Sequence, residues 1–334
     1  MWKEEAGGLY TKEIGIFNER MSGIVQNYLK SQSAFENSLH KWRRIAQSIW
    51  NSHWTADISL LLIAMIWGSN YMVIKGVVET VPVFQLLFIR FTLTAIIMLP
   101  FTFKVLRHAD RSAWTSGMIL GLILGATYFL ETFGLTSTSA SNAGFIIGMY
   151  VVLVPVLDHL IHGRLLKISL AGVLLLSITG TTLLTMKNGF DPKIGDVLVL
   201  AAAFGYAIQM IMAKKLTAGK TMDSRALTVI QFSTVAIVSG LLSLSQPSSW
   251  SYLTPSFWLA IGYLVVFGTM FAYYIQLVMI RRTSPSRVAL LMSSEPMFAA
   301  IFSILIAGEH LSVWQFIGGL CIITGILLGR RFQE

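Results

Sequence analysis

The feature that most constrains this chain is a succession of apolar runs between Ile58 and Arg330, each long enough to cross a hydrocarbon core of ~30 Å. Ten runs can be marked, near residues 58–77, 83–103, 113–133, 141–160, 168–186, 194–213, 226–245, 256–277, 287–306 and 312–330. In hydrocarbon every backbone N–H and C=O needs a partner within its own segment, so these runs are expected as helices. Charged residues make up only 12% of the chain, about half the ~25% of a soluble domain. A soluble fold of this length would lack polar surface. The connections are short and leave no room for a sizeable inserted soluble domain. The expected fold is all-α and integral to the membrane, with ten transmembrane helices.

The loops set an orientation. Alternate loops carry fourteen cations, from Lys104, Arg107 and Arg111 at the first to Arg330 and Arg331 at the last, whereas the opposite set carries only Lys75, Lys187 and Lys193. The positive-inside rule then places the cation-rich loops, and both termini, in the cytoplasm. The expected location is the cell membrane, crossed many times. The net charge of +9 is spent on this asymmetry, and no nucleic-acid partner is expected. Residues 1–55 stand apart as a polar, aromatic-rich cytoplasmic tail. Phe35, Leu39, Trp42, Ala46 and Ile49 are spaced for an amphipathic helix on the membrane surface; a loosely ordered tail is the other reading. No apolar h-region of a cleavable signal precedes Lys30.

The two halves of the apolar region resemble each other. Thr138-Ser139-Ala140-Ser141-Asn142-Ala143 aligns with Thr283-Ser284-Pro285-Ser286-Arg287-Val288 at an offset of 145, and Tyr128 with Tyr273, Glu131 with Gln276 and Gly163 with Gly308 follow at the same offset. Trp67-Gly68 sits opposite Phe204-Gly205, and Arg90-Phe91 opposite Gln231-Phe232. The repeats fall at 56–187 and 194–331, five spans each. An odd number of spans inverts the second repeat, an arrangement typical of secondary transporters, with the substrate site between the halves near mid-membrane.

Several of these residues carry a family likeness. Trp67-Gly68-Ser69-Asn70 with Lys75, Arg90-Phe91, Thr138 to Phe145 followed by Pro155, Glu295-Pro296 and Gly308-Glu309 together resemble the drug/metabolite transporter superfamily, in its ten-helix, EamA-type branch. The likeness covers roughly residues 58–330 and leaves out the tail. It implies secondary transport, often export, of metabolites, amino acids or drug-like compounds, by alternating access of the two halves. It does not single out a substrate.

A charge at the bilayer centre costs ~3 kcal/mol on insertion scales, so each intramembrane charge is a candidate. Arg90 lies seven residues into its run, and at ~1.5 Å per residue is too deep for a loop residue. It is suited to bind a carboxylate or to tie helices together. Glu295, before Pro296, is a candidate for lining the site and carrying a coupled proton, or for an ion pair with Arg90. Glu131, near the outer end of the third run, is expected in a vestibule reaching interfacial water. Lys75, near the end of the first run, either snorkels or serves the pathway. Asn70, Gln209 and Gln231 suit a substrate-lining surface or interhelical hydrogen bonds. Tyr150, Tyr273, Tyr274 and Trp67 are placed to stack on substrate or merely to pack. Gly117, Gly121 and Gly125 recur every four residues, a spacing that admits a close neighbouring helix.

The remaining signals are exclusions. Cys321 is the single cysteine, so no intramolecular disulfide or cysteine metal cluster is expected. No zinc-protease motif, nucleophile elbow or Walker loop is present. No cofactor is expected, and the partners are a small-molecule substrate, candidate coupling protons and lipid. A membrane receptor or scaffold and an integral-membrane enzyme are the alternative classes.

Overall fold

A computed structural model describes residues 53–138, 140–161, 163, 168–185, 193–246, 252–298, 301–302 and 313–333. The amphipathic tail helix and the Gly308-Glu309 turn lie outside the described residues. The chain divides into two units, Met1–Ala56 and Asp57–Glu334. Residues 53–56, the described part of the first unit, are helical, and the remaining described residues belong to the second.

The described elements are helices: α1 (His53–Val78), α2 (Val83–Arg107), α3 (Arg111–Ser137), α4 (Ala140–Gly148), α5 (Tyr150–Ile161), α6 (Ile168–Thr185), α7 (Ile194–Thr217), α8 (Ser224–Ser243), α9 (Pro255–Tyr263), a π-helical stretch Leu264–Phe271, α10 (Ala272–Arg282), α11 (Pro285–Met292) and α12 (Val313–Gln333). Among the described residues six stretches are long and apolar enough to cross a membrane: α1 from Trp54, α2, α3, α7, α8, and the continuous run Pro255–Arg282. At the other four expected spans the described helices are shorter or broken.

Local chemistry sets the helix ends. Asp110 accepts from Ala113 N at 2.9 Å, Thr254 from Phe257 N at 3.3 Å and Ser284 from Arg287 N at 3.2 Å, each satisfying an orphan N–H of the first turn. Pro255 and Pro285 occupy first-turn positions, where a missing N–H costs nothing. The α11 helix stops before Glu295, where the Ser293 and Ser294 hydroxyls bond Leu290 O and Leu291 O and Pro296 disfavours helix at the preceding residue.

The surface is inverted relative to a water-soluble protein. Phe101 and Leu259 stand 76% and 77% exposed, while Arg90 is 2% exposed. Lipid provides no hydrophobic drive between helices, so close packing and interhelical hydrogen bonds must hold them. The α3 glycines supply the first. A Cβ at Gly117 would lie 2.7 Å from Ile230, and one at Gly121 would lie 2.6 Å from Thr234 and 2.9 Å from Gln231 O, so α3 and α8 are in backbone-range contact. Where α3 ends against the start of α7, Gly195 would put its Cβ 2.5 Å from Gly134 O. In the same way α2 packs along α8, α6 along α12, and α5 against both α7 and α11.

Candidate transport cavity

A cavity of about 410 Å³ of atom-free space, counting the part open to solvent, lies among these helices. Its walls follow helical spacing. Trp67, Asn70, Tyr71 and Ile74 line it from α1, Tyr128 and Glu131 from α3, and Tyr206 and Met210 from α7, joined by Arg90, Ile147, Tyr150 and Glu295. Spacings of three, four and seven residues bring side chains to one helix face, so each helix presents a short stripe to the centre.

Two carboxyls face this space. Glu131 is 5% exposed and accepts a hydrogen bond from the Tyr206 hydroxyl at 2.5 Å. The vestibule expected for it is therefore wrong: α3 continues to Ser137, and the six further residues bury the carboxyl behind the helix end. Glu295 is 4% exposed, and Tyr71 and Tyr150 set their hydroxyls beside it. The break in helix before Glu295 delivers its carboxyl to the cavity.

Arg90 is fixed by its neighbours. Its Nε donates to Thr269 Oγ1 at 2.7 Å and its Nη2 to Gly268 O at 3.4 Å. Its guanidinium carbon sits 5.0 Å from the Tyr128 ring centre, within cation–π range. An ion pair with Glu295 is not among its contacts. Gly268 O also accepts from Trp67 Nε1 at 3.0 Å. The π-helical stretch makes that carbonyl available: Ala272 N, its α-helical partner, bonds Phe267 O instead. Asn70 lies against Gly268, where a Cβ would come 2.7 Å from Nδ2, and its Oδ1 is buried without a partner.

Three candidates stand elsewhere. Lys75 donates to Leu135 O at 2.8 Å and Thr138 O at 3.0 Å, capping the α3 C-terminus where a cation is favoured. Gln209 Nε2 donates to Gln231 Oε1 at 2.9 Å, and Gln231 Nε2 to Leu227 O at 3.2 Å, so the two amides join α7 to α8. Neither lines the cavity. Tyr71, Tyr206, Ile74, Ile147 and Met210 line it without having been singled out. Trp67 with Asn70 and Ile74 carries a readable stripe, whereas nothing local marks Tyr206.

An aromatic belt continues from the cavity into the packing. Trp67 lies 6.0 Å from Tyr273, Tyr273 5.7 Å from Phe232, Phe232 5.6 Å from Phe91 and Phe91 5.0 Å from Tyr128, ring centre to ring centre. Among the described residues no cluster of three metal-ligating side chains occurs.

A helical bundle with an apolar exterior and charged groups gathered at a central cavity is the build of a multi-pass membrane transporter. The chain belongs to the EamA-like transporter family, which matches it at residues 54–186 and again at 193–330, consistent with the drug/metabolite transporter superfamily. It is 30% identical over 276 residues to an uncharacterized transporter of Archaeoglobus fulgidus, covering 82% of this chain and 85% of that protein. It is 23% identical over 283 residues to YedA, an uncharacterized inner membrane transporter of Escherichia coli, covering 81% of this chain and 89% of that one. A crystal structure with 18% identity shares the fold, with a TM-score of 0.69 over 85% of this chain and 100% of its own.

Proposed function

We propose that the chain is a secondary transporter that moves a small metabolite, amino acid or drug-like compound across the cytoplasmic membrane, outward, by alternating access. The observation that carries this is the cavity itself. Arg90, Glu131 and Tyr150 enter it from the first family match, and Tyr206, Met210 and Glu295 from the second. A site built from both halves changes its access when the halves rock.

The reading takes the chain as ten spans in two inverted repeats, 56–187 and 194–331, with both termini cytoplasmic. The helix break at Met149 and the one at Ser294 support it, because they fall at the same offset of 145 as the sequence matches. Two fastenings also support it. Arg287 Nη2 bonds Asp57 Oδ1 at 3.2 Å, joining the start of α11 to the start of α1. Thr138 Oγ1 bonds Asp196 Oδ1 at 2.5 Å, joining the end of α3 to the start of α7. In an inverted repeat these are counterparts at opposite membrane faces. Releasing one while keeping the other opens the cavity to one side at a time.

The test is transport in proteoliposomes, with a pooled panel of amino acids, nucleosides, sugars and organic cations, with and without a proton gradient. Gradient-dependent accumulation of one class is the expected outcome. Well-folded protein that moves no member of a widened panel would sink the reading.

A further inference from the structure

The cavity's charges do not balance. Glu131 and Glu295 bring two carboxyls and Arg90 one guanidinium, so with both carboxyls ionised one negative charge is left over. A lone buried charge is strongly disfavoured in a low-dielectric interior. Lys75 does not supply the missing cation, because its ammonium is committed to the carbonyls of Leu135 and Thr138. The groups facing the two carboxyls are Tyr71, Tyr150, Tyr206 and Arg90, and the carboxyls face each other. Tyrosine hydroxyls donate hydrogen bonds to the carboxyls but bring no charge.

The hydrogen-bonding inventory leans the same way. The carboxylate oxygens and the unpartnered Asn70 Oδ1 are acceptors, and a ligand that meets them must bring N–H donors or positive charge. The flanking tyrosine rings and Trp67 offer π faces, which attract a cation when it is desolvated. Ile74, Ile147 and Met210 line the rest of the cavity with apolar surface. A ligand carboxylate would find Arg90, whose Nε and Nη2 are already engaged, and would restore the surplus negative charge that its own amine had removed.

We infer that the cavity takes a monovalent organic amine or quaternary ammonium on an apolar or aromatic body, and that this cation and one proton shared by Glu131 and Glu295 occupy the site in turn. This rests on the transporter reading and names its substrate class. The exchange balances. One proton leaves the carboxyl pair as one cation enters, and the cavity is neutral before and after. Running the cycle down a proton gradient moves one cation outward for each proton admitted.

The test uses three probes with one shared body: phenethylammonium, phenyltrimethylammonium and phenylalanine. Calorimetric titration of the purified full chain, in buffers of different protonation enthalpy, gives the affinity and the protons released. Both cations are expected to bind more tightly than phenylalanine. Release is expected to approach one proton per ligand as the pH is lowered and to fade as it is raised. Glu295→Gln should abolish the release and weaken cation binding by about tenfold or more. Glu131→Gln serves the same purpose should Glu295→Gln fail to fold. Phenylalanine binding as tightly as phenethylammonium would overturn the inference. So would cation binding without proton release at any pH between about 5 and 9, or no binding of either cation by folded protein. A chain that moves a neutral or zwitterionic compound in proteoliposomes would keep the transporter reading while this inference failed. Cation binding with proton release but no transport would do the reverse.

Discussion

Arg287 and Asp57 form a buried ion pair, with side chains 12% and 4% exposed and Nη2 3.2 Å from Oδ1. Asp57 lies in the opening turns of α1 and Arg287 in the first turn of α11. Removing one partner of such a pair strands the other, at a cost of about 3 kcal/mol or more. Arg287→Ala is therefore expected to lower the thermal unfolding midpoint in detergent clearly. Replacing both residues by neutral side chains of similar volume should recover most of the loss. A double variant no more stable than the single one would remove the pair as the cause.

The Tyr206 hydroxyl bridges α7 to Glu131 on α3. A hydrogen bond to a charged group contributes about 1.5–3 kcal/mol, and its loss leaves a buried carboxylate short of a donor. Tyr206→Phe should thus destabilise the protein measurably, while Tyr274→Phe serves as a control outside the cavity. Equal melting temperatures for the two variants would contradict this geometry.

Gly195 and Gly134 meet backbone to backbone, with 2.5 Å between the Cβ position of one and the carbonyl oxygen of the other. Backbone cannot turn aside as a side chain can, so Gly195→Ala should cost about 1–3 kcal/mol by overpacking. Gly76 has nothing within 4 Å of its Cβ position, and Gly76→Ala should be neutral or mildly stabilising in its helix. The order of the two midpoints is the measurement. The reverse order would mean that α3 and α7 do not approach in this way.

Gln209 and Gln231 are bonded to each other inside the α7–α8 contact. Gln209→Leu leaves Gln231 with one amide oxygen unmet, at about 1–3 kcal/mol. The double change to leucine should cost less than the sum of the single changes. Additive costs would show that the amides act separately and would reopen a substrate role for them.

The sequence made the membrane character legible, because apolar runs of spanning length have few other uses. It also pointed to Arg90, Glu295 and Asn70, since intramembrane polar groups are rare enough to stand out. It misled at Lys75, whose role depends on the α3 carbonyls of Leu135 and Thr138, some 60 residues away. Glu131 was misjudged because the end of the apolar run is not the end of the helix. Tyr206 stayed hidden since its partner lies 75 residues distant, and tyrosine in an apolar run reads as packing. Pairing across helices is a property of the bundle, and single-helix periodicity records only which residues share a face.

The stretch Leu264–Phe271 encodes a length as much as a set of side chains. Each hydrogen bond there closes over five residues instead of four, so the stretch accommodates more residue than an α-helix of equal rise. Deleting one residue would let the segment heal into an unbroken α-helix and turn everything after it by about 100°. Tyr273 would then leave its place between Trp67 and Phe232, and Gly268 O would return to the main-chain ladder, away from the indole and guanidinium it now receives. A substitution at this site changes one contact, whereas a change in chain length resets the angular phase of α10 against the rest of the bundle.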